Sequence, residues 1–213
     1  MNKIDLSLYL ITNSDNKTDE EYLKIVEEAI NGGVTTVQIR EKKKSSKKFY
    51  ELAIKLKEIT DKHNIKLIVN DRIDIALAIN ADGVHIGQND INPKIARKTI
   101  GDEKILGISA SNVNESIKAE KYGADYIGTG AIFPTKTKKD TKKVSINELK
   151  NIIDSVNIPV IAIGGLNENN IHKLKDTKVK GLCFVSAIMD SKNPKRTAQK
   201  LLKTFKTFNS QIL

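Results

Sequence analysis

Short apolar runs alternate along this chain with longer stretches in which apolar residues recur at helical spacing. A run bounded by polar turns reads as a strand, and a three-to-four-residue apolar period reads as a helix with one buried face. The runs predict strands over 7–12, 35–40, 66–70, 83–86, 105–109, 126–130, 159–163 and 181–185. Between them lie helical faces such as Leu23, Val26, Ala29 and Ile30, or Phe49, Leu52, Ala53, Leu56 and Ile59. Leu201, Leu202, Phe205 and Phe208 form the last face. Helix starts are marked by Thr18 with Glu21 and Ser145 with Glu148, both capping-box pairs, by Ser45 or Ser46, and by Asn112 with Glu115. Asn92-Pro93 and Asn193-Pro194 pair an N-cap with a first-turn proline, and Asn167 is expected to cap the seventh helix. A short helix is predicted over 72–79, and Pro159 is placed at the first position of its strand.

Eight strands in strict alternation with eight helices predict a parallel sheet with right-handed crossovers. The strands are continuous and aliphatic, as expected when both faces are covered. Eight such units closing on themselves make a (β/α)8 TIM barrel, at the compact end of its size range. An open doubly wound sheet would carry a glycine-rich fingerprint after its first strand, and Thr12-Asn13-Ser14 stands there instead. No linker interrupts the pattern, so residues 1–213 are expected to form one catalytic barrel domain.

Composition narrows the picture. No apolar run approaches the ~20 residues of a membrane helix, and no secretory leader is seen at the N-terminus, so a cytoplasmic protein with no membrane partner is expected. Cys183 is the single cysteine, in an apolar run, and reads as a buried thiol. The net charge is +10, almost all from lysine. Lys55, Lys57, Lys62, Lys118 and Lys121 fall on polar helix faces, and no aromatic residues are interleaved with basic ones as base stacking requires. The lysines therefore read as a solvated surface, without nucleic acid as a partner.

In a barrel the active site lies at the C-terminal strand ends. The second strand ends Gln38-Ile39-Arg40-Glu41-Lys42, with Gln38 and Arg40 on one face and Lys42 just beyond. An amide, a guanidinium fork and an ammonium suit an anionic ligand rich in phosphate oxygens. Asn70-Asp71 ends the third strand and Asp90 follows the fourth. Each Asp alone could cap a helix or sit in a loop; together, on adjacent rims beside cations, they suit a Mg²⁺ ion shared with substrate phosphates. His85 reads as a packed, hydrogen-bonded histidine, and no His/Cys cluster suggests zinc. Ser109 ends the fifth strand with a hydroxyl free for phosphate, whereas Ser111 could serve the next helix cap. The sixth strand opens into Pro134-Thr135-Lys136-Thr137-Lys138-Lys139, where hydroxyls and ammonium groups alternate. Gly164-Gly165 and Val185-Ser186 end the last two strands, where phosphate sites recur in this fold. The inventory is two phosphate-type sites on one rim, with no evident general base or activated nucleophile.

The segments QIREK (38–42), NDR (70–72), DGVHIGQND (82–90), GADYIGTGAIFPTKTKK (123–139), PVIAIGGL (159–166) and VSAI (185–188) together resemble the thiamine phosphate synthase family. The resemblance is collinear over nearly the whole chain. It implies a transferase of thiamine biosynthesis that joins a pyrimidinylmethyl diphosphate to a phosphoethyl-thiazole, or its carboxylate, releasing pyrophosphate. Gln38, Ile39, Arg40, Glu41, Lys42, Asn70, Ser109 and Lys138 would bind the pyrimidine diphosphate, with Arg40, Lys42, Lys138 and Ser109 catalytic. Thr135, Lys136, Thr137, Gly165, Val185 and Ser186 would hold the thiazole phosphate, and Asp71 and Asp90 would ligate Mg²⁺. The implied mechanism is dissociative. Small phosphorylated molecules are the implied partners, and a homo-oligomer is left open. Two departures show: Asn13 follows Thr12 where the family often has Asp, and Asn89 precedes Asp90 where an acidic residue is usual. The sister thiazole tautomerases share the barrel, and the presence of Arg40, Lys42, Asp71 and Asp90 argues against that reading.

Overall fold

Strands such as LYLI, TVQI and VIAI have no solvated face, so they need cover on both sides. The chain meets that need by closing its sheet. A computed structural model describes residues 4–135 and 143–209. In chain order it contains β1 (Leu8–Ile11), α1 (Asp19–Asn31), β2 (Thr36–Ile39), α2 (Ser46–Lys62), β3 (Lys66–Asn70), α3 (Ile73–Ala78), β4 (Gly83–Ile86), α4 (Pro93–Ile100), β5 (Ile105–Ala110) and α5 (Val113–Lys121). There follow β6 (Tyr126–Thr129), α6 (Ile146–Ser155), β7 (Val160–Ile163), a 3-10 helix (Ile171–Thr177), β8 (Gly181–Phe184), α7 (Ser186–Met189) and α8 (Pro194–Asn209). Each strand pairs in parallel with the next, and β8 returns to β1 with Leu8 opposite Leu182, so the barrel is closed and none of these eight strands has an unpaired edge.

The pleat divides the core in two. Alternate strand residues such as Leu8, Leu10, Val37, Ile39, Leu67 and Val69 face outward and pack against the helices. Leu6, Tyr9, Ile11, Ile68, Ile105, Tyr126, Ile161 and Cys183 fill the barrel interior. Cys183 is buried there as expected, and burial pushes its thiol up.

Local chemistry starts most helices where the sequence puts them. Thr18 and Glu21 close a full capping box, and Ser45, Asn92, Asn112 and Ser145 each accept from the first turn of their helix. Four expectations shift. Asn167 caps no helix: its Oδ1 accepts from the Asn169 N–H, and the expected seventh helix is the 3-10 segment beginning beyond Asn170. Glu115 reaches past Asn112 to the Ser111 N–H at 2.7 Å, one residue beyond the reciprocal position. Pro159 lies just outside β7, where its carbonyl accepts from the Ile127 N–H. The chain also forms the short helix α7 between β8 and α8.

Candidate active site

Thr12, at the end of β1, organises the rim beside it. It is fully buried; its hydroxyl accepts from Tyr22 at 2.7 Å and from the Arg40 N–H at 3.3 Å, and donates to the Gln38 carbonyl at 3.3 Å. Three bonds to one oxygen fix the end of β2. Gln38 is 1% exposed and points into the barrel, where its Nε2 donates to the Tyr9 hydroxyl at 2.8 Å. Its Oε1 is buried without a partner among the described residues. Ile39 packs in the outer core and pairs in register with Val69 of β3. Arg40 is half-buried. Glu41 does not serve Arg40 but accepts from the Ser14 hydroxyl at 2.6 Å, and burial pushes its carboxyl up.

Parallel pairing sets the next strand ends alongside. Lys42 forms an ion pair with Asp71, 29 residues away, across the ends of β2 and β3. Asp71 does not cap α3; Arg72 occupies that position without a side-chain capping bond. Asp71 holds a left-handed backbone at φ 60°, and its N–H donates to the His85 carbonyl at 2.9 Å. Left-handed φ outside glycine is uncommon, though Asp tolerates it better than most, and such positions cluster at functional sites. Asp90, on the exposed loop after β4, accepts from the Gly87 N–H at 2.7 Å. Partial burial, and then the Asp71 carboxylate beside it, push the Asp90 carboxyl up, while Lys42 draws it down. Two oxygen-donor carboxylates repelling each other at the rim suit a hard divalent cation such as Mg²⁺, which commonly takes one or two carboxylates and completes its shell with water and phosphate. Among the described residues no group of three or more His, Cys, Asp or Glu is placed to hold a metal, so the pair would need a ligand's oxygens as well.

Asn70 is half-buried and lies opposite His85. His85 is packed and hydrogen-bonded as its sequence context suggests, with Nε2 2.9 Å from Ser109 Oγ and Nδ1 3.0 Å from the Tyr126 hydroxyl. Ser109 is half-buried at the end of β5, while Ser111 donates to Glu115 at 3.0 Å and belongs to the helix cap.

The other arc of the rim is backbone-rich. Gly165 sits at φ 65°, and a Cβ there would lie 2.4 Å from the Pro134 carbonyl oxygen, so a bare glycine lets the loop after β6 rest on the end of β7. The Gly165 carbonyl is held by Asn170 at 2.8 Å. Thr135 is half-buried on that loop. Val185 is half-buried beside the interior core, and exposed Ser186 begins α7. Ser186 also lines a cleft of about 290 Å³ with Asn167, Glu168 and Asp190. A larger hollow of about 360 Å³, lined by Ile4, Pro159, Lys178 and Lys180, opens at the opposite end of the barrel, away from these groups. Lys136, Thr137 and Lys138 lie outside the described residues.

The rim thus gathers Gln38, Arg40, Lys42, Asn70, Asp71, Asp90 and Ser109 on one arc, and Thr135, Gly165, Val185 and Ser186 on the other. Sequence reading passed over Thr12, Tyr22, Tyr9 and Tyr126. The available signal was a tyrosine at an inward position of an aliphatic strand, since a buried phenol has to find a polar partner.

The family model described as thiamine monophosphate synthase matches residues 8–188. A thiamine-phosphate synthase of Methanobrevibacter smithii is 56% identical over 210 residues, covering 99% of this chain and 100% of its own. One from Clostridium tetani is 52% identical over 202 residues, 95% and 97% of the two chains. Among solved structures, a thiamine phosphate pyrophosphorylase from Pyrococcus furiosus superposes with a TM-score of 0.89 at 35% identity, covering 96% of this chain and 98% of that one.

Proposed function

The chain belongs to the thiamine monophosphate synthase family, and from that membership we propose that it joins a pyrimidinylmethyl diphosphate to a phosphoethyl-thiazole to give thiamine phosphate and pyrophosphate. The observation that carries this reading is the meeting of Lys42, Asp71 and Asp90 at three consecutive strand ends. One cation and two carboxylates at a barrel mouth serve a diphosphate with its metal better than they serve a neutral ligand. Bound Mg²⁺ supplies added positive charge to the diphosphate oxygens, with Asp71 and Asp90 as the residues that would hold it.

In the proposed reaction Arg40, Lys42 and Lys138 neutralise charge on the departing diphosphate. The bond between the pyrimidine methylene carbon and the diphosphate oxygen breaks with its electron pair going to oxygen. The thiazole nitrogen lone pair then forms the new carbon–nitrogen bond, so no proton has to be abstracted. That agrees with a rim whose histidine is fully engaged in hydrogen bonds. Gln38, Ile39, Glu41, Asn70 and Ser109 position the pyrimidine diphosphate. Thr135, Lys136, Thr137, Gly165, Val185 and Ser186 position the thiazole phosphate so that its nitrogen faces the reacting carbon.

The test is to mix both phosphorylated heterocycles with Mg²⁺ and follow pyrophosphate. Turnover is expected in the wild type, with a loss of at least about a hundredfold in Asp71→Ala and in Asp90→Ala. Unchanged turnover in both variants would remove the metal assignment; no turnover in the wild type would remove the reaction.

A further inference from the structure

Five side chains form one continuous hydrogen-bond path through the barrel interior. Gln38 on β2 contacts Tyr9 on β1 at 2.8 Å, and Tyr9 contacts Tyr126 on β6 at 2.7 Å. Tyr126 contacts His85 on β4 at 3.0 Å, and His85 contacts Ser109 on β5 at 2.9 Å. The path therefore runs beneath the rim, from buried Gln38 to half-buried Ser109, two residues proposed above for one substrate.

We propose that Tyr9, Tyr126 and His85 are positioning residues that set the donor and acceptor sense of Gln38 and Ser109 together. This rests on the proposed reaction for the identity of the ligand, but not for the direction of the path. Each link follows from the one before it. The Gln38 amide gives an N–H to Tyr9, so the Tyr9 proton goes on to Tyr126. The Tyr126 proton then goes to His85 Nδ1. His85 must carry its own proton on Nε2 and give it to Ser109 Oγ. The Ser109 proton is left to donate outward, and Gln38 Oε1 is left to accept. The first end presents a bare carbonyl and the second a hydroxyl proton, suited to a ligand that brings an N–H to one and a phosphate oxygen to the other.

Three observations support a built device over incidental packing. Tyr9 and Tyr126 are fully buried and burial pushes both phenols far up, so they stay protonated and carry orientation instead of charge. Gln38 Oε1 is buried without a partner among the described residues, a costly state that a ligand N–H relieves. Gly107, on β5, leaves the needed room: a Cβ there would lie 2.3 Å from the Tyr126 hydroxyl oxygen and 2.5 Å from His85 Nδ1.

Long-range nitrogen–proton NMR of the ligand-free protein reads the His85 tautomer directly. The Nε2–H form is expected; an Nδ1–H form overturns the direction of the path whether or not the protein turns over substrate. Steady-state kinetics reads the coupling. Tyr126→Phe keeps the ring and removes the link, and should raise KM for the pyrimidine diphosphate about tenfold with KM for the thiazole phosphate unchanged. In a background carrying both Gln38→Ala and Ser109→Ala, where neither end of the path remains, the same substitution should change that KM by less than about twofold. A tenfold effect that persists there, or that falls equally on both substrates, would show that the phenol acts through packing and overturn the positioning role. If the wild type gives no pyrophosphate, the reaction fails and the tautomer alone decides the path.

Discussion

The Thr12 hydroxyl shows how much one atom can hold. It satisfies the buried Tyr22 phenol and the Arg40 N–H and reaches the Gln38 carbonyl, so β1, α1 and β2 meet at one oxygen. Thr12→Val keeps the shape and removes the oxygen. It should lower stability by about 1–3 kcal/mol, because the Tyr22 hydroxyl is then buried unpaired. Adding Tyr22→Phe should recover part of that loss, since removing both partners costs less than orphaning one. Urea unfolding of the two variants checks this, and a double variant no better than the single would contradict it. The position of Arg40, Lys42, Asp71 and Asp90 at the strand ends was legible because strand limits are written in local hydrophobic periodicity. Not legible were the bonds of Thr12 and Tyr22, whose partners lie 26, 28 and 10 residues away.

At the scale of elements, the contact between the loop after β6 and the end of β7 decides the shape of the backbone-rich arc. Gly165→Ala adds a carbon 2.4 Å from the Pro134 oxygen and 2.7 Å from the Phe133 oxygen, so the loop must move. KM for the thiazole phosphate is expected to rise by about tenfold or more, with a smaller change for the pyrimidine diphosphate. Gly101→Ala is the control: its φ of 75° also disfavours alanine, but no atom lies within 4 Å of the added carbon. Both variants should lose stability, and only the first should lose thiazole affinity; equal kinetic effects would defeat the contact. The strands and most helix starts could be read locally, because apolar periodicity and capping are local. The 3-10 segment and the shift of Glu115 to Ser111 could not, because several N–H groups compete for one side chain and tertiary packing picks among them.

The whole molecule carries a net charge of +10, yet many of its lysines are engaged with carboxylates spread over the surface. Lys17 pairs with Asp190, Lys44 with Asp19, Lys57 with Asp61, Lys66 with Asp82 and Lys200 with Glu168. No helix among the described residues is long and apolar enough to cross a membrane. We expect duplex DNA to bind only weakly and without sequence preference, with retention lost between about 50 and 200 mM salt. A nanomolar Kd at about 150 mM salt would show a basic face that the ion pairs do not indicate.

The sequence by itself determined the order of the elements, the parallel sheet that such an order requires and the kinds of groups on the rim. Those follow from hydrophobic period, capping and strand-end chemistry, all written within a few residues of where they act. Only the tertiary structure decided that Lys42 meets Asp71, that Asp90 stands beside that pair, and that Tyr9 reaches Tyr126 across 117 residues of chain. Those meetings depend on strand register and on β8 returning to β1, and register is the sum of packing over the closed barrel, which no short stretch contains.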